Sequence, residues 1–167
     1  SILARLVGRD LACFVVQHLP EDGAENFARW LHRTTGWMVE VARHGSPIVT
    51  GTCYVAPHGK HLEVGHFTLA LTDSRRQDGH CPSVSRLFQS LATAHPASTV
   101  GVILSGMGRD GAQGLLELRH AGGLTMSSIN SFTGTIELAT AAATGDKLLL
   151  NGQVTAANLV VGNGTSL

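Results

Sequence analysis

Apolar residues along this chain form short uninterrupted runs that alternate with amphipathic stretches. Residues 11–17 and 99–104 are continuous runs rich in β-branched side chains, which is typical of strands buried on both faces. Residues 23–35 and 83–94 repeat their apolar positions with helical spacing, which predicts helices with one buried face. Because the two patterns alternate, we expect a parallel sheet whose strands are joined by right-handed crossovers.

The predicted fold class is therefore α/β: a doubly wound, mostly parallel sheet with helices on both faces and a small antiparallel excursion. Short alternating runs predict strand excursions or hairpins at the sheet edge over 38–42, 51–56, 61–64 and 66–71. The remaining predicted elements are helices over 2–7, 112–121, 137–144 and 153–160 and strands over 124–127 and 147–150. With 167 residues, the chain suits a single domain, which we expect to span residues 1–167.

Composition and charge narrow the classes of function. The chain is 43% hydrophobic and 14% charged, with 12 basic and 12 acidic residues, and it has no basic block. We therefore expect no nucleic-acid binding through phosphate contacts. No apolar run reaches the ~20 residues of a membrane span. Arg5, Arg9 and Asp10 interrupt the apolar start where a signal peptide would be continuous. We expect no membrane insertion.

The cysteines and histidines predict neither a disulfide framework nor a cofactor. Cys13 and Cys53 lie in apolar strands and Cys81 lies in a loop. This odd count without CxxC spacing fits a reducing cytoplasm. His58 and His61 lack the i, i+4 spacing of helical zinc ligands. We expect a cytoplasmic protein that needs no metal and no cofactor.

Two strand ends contain the candidate chemistry. The run at 99–104 leads through a glycine-rich segment to Asp110, and the run at 11–17 is followed by His18. The carboxyl ends of parallel strands meet at one edge, where ligands and catalytic groups gather. A histidine base oriented by a carboxylate is the core of a hydrolase triad. The alternatives are structural: Asp110 as the N-cap of the next helix, and His18 as a hydrogen-bonding residue of the strand end.

Four motifs in this order resemble one family over about residues 2–150. They are VVQHLP at 15–20, YVAPHGKHL at 54–62, HCPSV at 80–84 and LSGMGRDGA at 104–112. With these motifs the chain is similar to the catalytic domain of the CheB-type chemotaxis protein-glutamate methylesterases. Four ordered motifs are a more specific signal than any one of them alone.

The resemblance implies an activity, a set of site residues and partners. Members hydrolyse glutamate methyl esters on the cytoplasmic helices of chemoreceptors, and many also deamidate receptor glutamines. The resemblance implies that His18 is the general base, that Asp110 orients it, and that the backbone N–H of Met107 helps to bind the oxyanion. Full-length members also have an N-terminal phospho-receiver domain, which would lie outside this chain.

The family's nucleophile is a serine in a Gly-x-Ser-x-Gly-Gly turn ahead of its first helix. Because that helix aligns with residues 2–7, the serine would lie before Ser1, and we expect little or no ester hydrolysis from this chain as printed. The alternative is a non-catalytic binding or regulatory module that keeps the fold. Ser83 and Ser105, which lie closest to the motifs, are expected to be structural. We also expect an open position beside strand 11–17 or a frayed helix 2–7.

A substrate surface is expected beside the histidine–aspartate pair, built from segments 57–61 and 73–82. Arg75 and Arg76 are candidate contacts to an acidic receptor helix, and the alternative is that both are solvated loop charges. Cys81 stands where the family usually has an arginine.

Overall fold

The computed structural model describes residues 3–73, 76–77, 79–104, 109–127 and 158–162. Its strands are β1 (Ala12–Val16), β2 (Met38–Val41), β3 (Thr52–Val55), β4 (His61–Val64), β5 (Leu69–Thr72), β6 (Thr99–Ile103), β7 (Leu124–Ser127) and β8 (Asn158–Gly162). Its α-helices are α1 (Gly23–Thr35), α2 (Val84–Ala94) and α3 (Ala112–His120), and 3-10 turns cover Leu3–Arg5 and Pro96–Ser98. None of these helices has the length and apolar character needed to cross a membrane.

Six strands form one sheet in the order β2-β3-β1-β8-β6-β7, and β4 and β5 form a separate antiparallel hairpin. Strands β1, β2 and β3 pair in parallel, and so do β6 and β7. Strand β8 pairs antiparallel with both β1 and β6. The mostly parallel sheet with its small antiparallel excursion confirms the predicted α/β class.

Helices cover both faces of the sheet, as predicted. Successive side chains of a strand point to opposite faces, so β1 contributes to two cores. The first core joins β1 to α2 and α3 through Phe14, Val16, Leu87, Phe88, Leu91 and Leu118. The second core joins β1 to α1 and the N-terminal segment through Cys13, Val15, Leu3, Leu6, Leu31 and Trp37. The carboxyl end of β1 is thus a rigid point from which the following residues emerge.

The helix tail predicted over 2–7 is not α-helical in its described part, residues 3–7. The segment contains a 3-10 turn at Leu3–Arg5, and the Leu6 N–H donates to the Leu3 carbonyl at 3.0 Å, the i to i−3 spacing of such a turn. Gly8, with a φ of 80°, then turns the chain toward β1. This φ lies in the left-handed region, which ends helical backbone at this point.

The helix predicted over 153–160 is wrong for residues 158–160, which belong to strand β8, and its residues 153–157 lie outside the described residues. Val160 and Val161 favour extended backbone, since β-branched side chains restrict the helical rotamer. Strand β8 occupies the neighbour position of β1, so the open position expected there is filled. The predicted helix at 137–144 and strand at 147–150 lie outside the described residues.

The short alternating runs divide between two structures. Strands β2 and β3 are parallel members of the main sheet and not the hairpins predicted for 38–42 and 51–56. Strand β2 lies at the sheet edge, as predicted, whereas β3 lies between β2 and β1. Strands β4 and β5 form the hairpin predicted from 61–64 and 66–71, with the second strand beginning at Leu69. Alternation alone does not distinguish a strand at a sheet edge from one that pairs on both sides.

Helices α2 and α3 approach each other closely at Gly114. A Cβ on Gly114 would lie 2.4 Å from the Ser85 carbonyl oxygen, well inside any real contact distance. The glycine therefore allows the first turn of α3 to lie against the backbone of α2. This approach brings the residues just before α3 to the start of α2.

Candidate active site

His18 and Asp110 meet at the carboxyl edge of the sheet. His18 follows β1, and Asp110 lies between β6 and α3. The His18 Nε2 and Asp110 Oδ2 atoms are 2.9 Å apart, which is hydrogen-bond distance and confirms the predicted contact. The imidazole side chain is 38% exposed and the carboxylate side chain is 3% exposed. Solvent therefore reaches the candidate base, whereas its partner is enclosed.

The Asp110 carboxylate is held by the N-terminus of α2. Its Oδ1 accepts hydrogen bonds from the Ser83 hydroxyl at 2.8 Å and the Ser85 N–H at 3.1 Å. Its Oδ2 accepts from the Val84 N–H at 2.9 Å in addition to the imidazole. The N–H groups of a first helical turn have no partners within the helix. Here the N–H groups of Val84 and Ser85 donate to the carboxylate, so the hydrogen-bonding needs of both the helix end and the buried acid are met.

Asp110 does not cap the helix that follows it, so that alternative is wrong. The N-cap of α3 is Gly111, which has a φ of 93° and makes no side-chain cap bond. The Gly111 N–H instead donates to the Ser85 hydroxyl oxygen at 2.9 Å. The left-handed backbone at Gly111 turns the preceding carboxylate away from its own helix and toward α2.

Ser83 is structural, as predicted. It is fully buried and is the N-cap of α2, where its Oγ accepts from the Arg86 N–H at 3.4 Å while donating to Asp110. The Ser83 N–H donates to Nδ1 of the fully buried His61 at 3.1 Å. This supporting role of His61 is not predicted from the sequence. Its place at the start of a buried alternating run was the available signal.

The hydrogen bond to Asp110 determines which nitrogen of His18 can act as a base. An ionised carboxylate only accepts hydrogen bonds, so Nε2 must be the protonated nitrogen of the neutral ring. The lone pair then lies on Nδ1. An oriented imidazole with a free lone pair can remove a proton from a hydroxyl group placed within about 3 Å. This is the chemistry of an activated serine or of an activated water.

His80 covers one face of the candidate base. The His18 and His80 rings are stacked with their centroids 4.0 Å apart and an angle of 6° between their planes. This contact is not predicted from the sequence, where His80 belongs only to the HCPSV motif. The signal was present in the spacing, because His80 lies three residues before the Ser83 cap that binds Asp110.

The segments expected to form a substrate surface are joined by an ion pair. Lys60 Nζ lies 2.8 Å from Asp73 Oδ1, and both side chains are largely exposed. Burial raises the pKa of the Cys81 thiol, Arg76 and Lys60 oppose this rise, and Asp73 adds to it. Cys81 is therefore a neutral thiol at pH 7. Arg76 is exposed, whereas Arg75 lies outside the described residues.

Part of the predicted site falls outside the described residues. Met107, which the resemblance implies as an oxyanion donor, and Ser105 both lie in the segment 105–108. Their roles stay predictions. Among the residues that the structure describes, no group of three or more His, Cys, Asp or Glu side chains is arranged to hold a metal ion.

The fold and the pair together define a class. An α/β domain with an imidazole–carboxylate pair at the carboxyl edge of a parallel sheet is typical of hydrolases that use an activated nucleophile. A family model described as CheB methylesterase matches residues 1–144, so this chain belongs to the CheB methylesterase family.

Comparisons with individual proteins agree with the family. A protein-glutamate methylesterase/protein-glutamine glutaminase of Anaeromyxobacter dehalogenans is 46% identical over 125 residues, which cover 73% of this chain and 36% of that protein. One from Gluconobacter oxydans is 45% identical over 119 residues, covering 67% and 34%. The crystal structure of the Thermotoga maritima CheB methylesterase catalytic domain matches with a TM-score of 0.65 and 29% identity, over 67% of this chain and 61% of that one. The chain spans about a third of the length of these curated relatives.

Proposed function

We propose that this chain supplies the general base and its orienting carboxylate to a protein-glutamate methylesterase. The substrates would be glutamate methyl esters, and also glutamines, on the cytoplasmic helices of chemoreceptors. The observation that supports this most directly is the bond between His18 Nε2 and Asp110 Oδ2, with the imidazole half-exposed and the carboxylate enclosed. The two curated relatives described above have both activities in their names.

The proposed reaction is acyl transfer through a serine. His18 Nδ1 accepts the serine proton while the serine oxygen attacks the ester carbonyl, and Asp110 stays ionised beside the resulting imidazolium. The imidazolium then donates its proton to the departing methoxide, which leaves as methanol. Water hydrolyses the acyl-enzyme by the same proton transfers in the second half. The Met107 N–H is the proposed donor to the oxyanion in both halves.

The proposed nucleophile is the serine of the family's Gly-x-Ser-x-Gly-Gly turn. This motif does not occur within residues 1–167. Among the serines nearest the site, Ser83 is fully buried and bonded to Asp110, which removes it as an alternative. We therefore propose that the turn is contributed from outside these residues, next to the carboxyl end of β1.

The proposed substrate surface combines the segments 57–61 and 73–82. The Lys60–Asp73 pair links the two, and Arg76 is exposed near Cys81. Cationic side chains on such a surface would favour a receptor helix with a net negative charge. Charge reversal at Lys60 and Arg76 together should weaken receptor binding and reduce its salt dependence. Unchanged binding would mean that neither side chain contributes to receptor binding.

A methanol-release assay on methylated receptor tests the proposal. Two proteins are compared: residues 1–167, and the same residues with a Gly-x-Ser-x-Gly-Gly turn joined ahead of Ser1. We expect turnover only in the extended protein. His18→Ala in that protein should lower kcat by about 10²- to 10⁴-fold, the usual contribution of a general base.

The controls separate the alternatives. The extended protein with alanine in place of the turn's serine should be inactive, and His120→Ala, at the exposed end of α3, should retain full activity. Turnover by residues 1–167 that Ser1→Ala abolishes would make Ser1 the nucleophile and overturn the proposed serine turn. An absence of turnover in both folded proteins would favour a binding module.

A further inference from the structure

The His18 imidazole is constrained in two ways: Asp110 bonds one ring nitrogen, and His80 stacks on one face of the ring. A single hydrogen bond from Nε2 to Oδ2 ties one edge of the imidazole and leaves the ring able to rotate about that bond. The direction of the Nδ1 lone pair changes with this rotation. The His80 ring, parallel to within 6° at a centroid distance of 4.0 Å, limits it by covering one face.

His80 is itself held by the fold. Its N–H donates to the Gln77 carbonyl at 2.9 Å, and the Gln77 N–H donates back to the His80 carbonyl at 3.1 Å. The Gln77 side-chain amide donates to Gln89 of α2 at 3.1 Å, and the Gln89 amide donates to Glu117 of α3 at 3.1 Å. The backbone that carries the His80 ring is therefore linked through Gln77 to α2 and through Gln89 to α3.

We infer that His80 is a positioning residue that fixes the plane of the His18 imidazole and so directs the Nδ1 lone pair. Asp110 selects the tautomer of His18, and His80 selects the orientation of its ring. This assignment rests on the proposed function for its catalytic meaning, because only a base needs a directed lone pair. The orientation itself is measurable without any turnover.

Nitrogen NMR of the histidine side chains in residues 1–167 tests the inference. In the unsubstituted protein, His18 should show a protonated Nε2 and a bare Nδ1 with well-separated nitrogen shifts. His80→Phe keeps a flat stacking ring and should leave this pattern unchanged. His80→Leu fills similar space without a flat ring, and His80→Ala leaves the face of His18 open. In both, the ring can turn out of line with Asp110, so the Nε2–Oδ2 bond opens more often. The two nitrogen shifts should then move toward each other, and the Nε2 proton signal should be lost to exchange with water.

The NMR test of the His80 variants has its own controls, which do not depend on ester hydrolysis. His120→Ala should leave the His18 signals in place, and the backbone amide spectrum reports whether each variant is folded. Unchanged His18 signals in a folded His80→Leu or His80→Ala variant would overturn the inference. Their loss in a folded His80→Phe variant would also overturn it. A failure of ester hydrolysis would contradict the proposed function and leave these spectra unaltered.

Discussion

Asp110 receives hydrogen bonds from four donors on its two carboxylate oxygens, although its side chain is almost wholly enclosed. Three of these donors belong to Ser83, Val84 and Ser85 at the start of α2, and the fourth is the His18 imidazole. A buried carboxylate is tolerated only when its lone pairs are satisfied in this way. At the scale of one residue, one carboxylate thus both orients the His18 imidazole and binds the free N–H groups at the start of a helix.

Asp110→Asn should therefore destabilise the domain as well as disturb the orientation of the His18 imidazole. An amide has one accepting oxygen, so part of the donor set around position 110 would face an NH₂ group and stay unsatisfied. We expect the free energy of unfolding to fall by about 1–3 kcal/mol, measured by urea denaturation at pH 7.

The matched control for this substitution is Asp73→Asn. The Asp73 side chain is 75% exposed and pairs with an exposed lysine, so its loss should change stability by less than about 1 kcal/mol. Equal effects of the two substitutions would mean that the hydrogen bonds from the start of α2 to Asp110 add nothing to the free energy of unfolding.

At the scale of elements, the site depends on how closely α3 approaches α2. The 2.4 Å separation between an ideal Cβ on Gly114 and the Ser85 carbonyl oxygen leaves no room for a methyl group. Ser85 also donates its N–H to Asp110 and accepts the Gly111 N–H on its hydroxyl. A shift of α3 away from α2 would therefore lengthen bonds within the site.

Gly114→Ala is the substitution that tests this packing. The added methyl group must push against backbone, so we expect a loss of about 1–3 kcal/mol in the free energy of unfolding despite the better helix propensity of alanine. The His18 imidazole signals should shift as well. The neighbouring Gln113→Ala, on the exposed surface of α3, should leave both measurements nearly unchanged. A stabilising effect of Gly114→Ala would contradict the close approach.

At the scale of the whole molecule, strand β8 joins the two parallel halves of the sheet. It pairs along its full length with β1 on one side and β6 on the other, each in antiparallel register. The histidine after β1 and the aspartate after β6 therefore face each other across the width of one intervening strand. Strand β8 thus sets the spacing of the two chain segments that form the site.

The buried thiol of Cys13 should make the free energy of unfolding decrease at high pH. Burial raises the pKa of Cys13 well above its ordinary value of about 9, and the neighbouring Cys53 adds to the rise. The native thiol stays protonated while the unfolded thiol ionises, so the stabilisation is fully present below pH 9 and is lost as the pH rises further. The slope is up to about 1.4 kcal/mol per pH unit for one thiol.

Urea unfolding of the unsubstituted protein and of Cys13→Ala between pH 7 and pH 10.5 measures this effect. At pH 7 the free energy of unfolding of Cys13→Ala should be lower than that of the unsubstituted protein, because a buried side chain has been shortened. Above pH 9 the free energy of unfolding of the variant should fall less steeply. Parallel curves for the two proteins would show that Cys13 ionises equally in the folded and unfolded states.

Much of this arrangement is predictable from short-range patterns in the chain. The buried runs at 11–17 and 99–104 give the central strands, and the polar residues at their ends give the His18–Asp110 pair. These inferences hold because the burial of a parallel strand and the position of its carboxyl end follow from local sequence.

The parts that sequence did not predict depend on long-range contacts. Asp110 accepts the Val84 N–H at the start of α2 from 26 positions along the chain. Residues 158–160, which were predicted to be helical, pair with β1 and β6 instead. The stack of His80 on His18 joins two loops whose separation is set by the whole fold. Local propensity carries no information about such neighbours.

The shared bonds of Asp110 affect how this domain can change over evolutionary time. A lineage without the proposed esterase activity would still need the aspartate to start α2, whereas it would lose little by replacing the half-exposed His18. Position 110 in a set of related sequences would then report on folding, and position 18 would report on chemistry. A homologue with the aspartate but without the histidine would be a domain that has lost turnover and kept its shape.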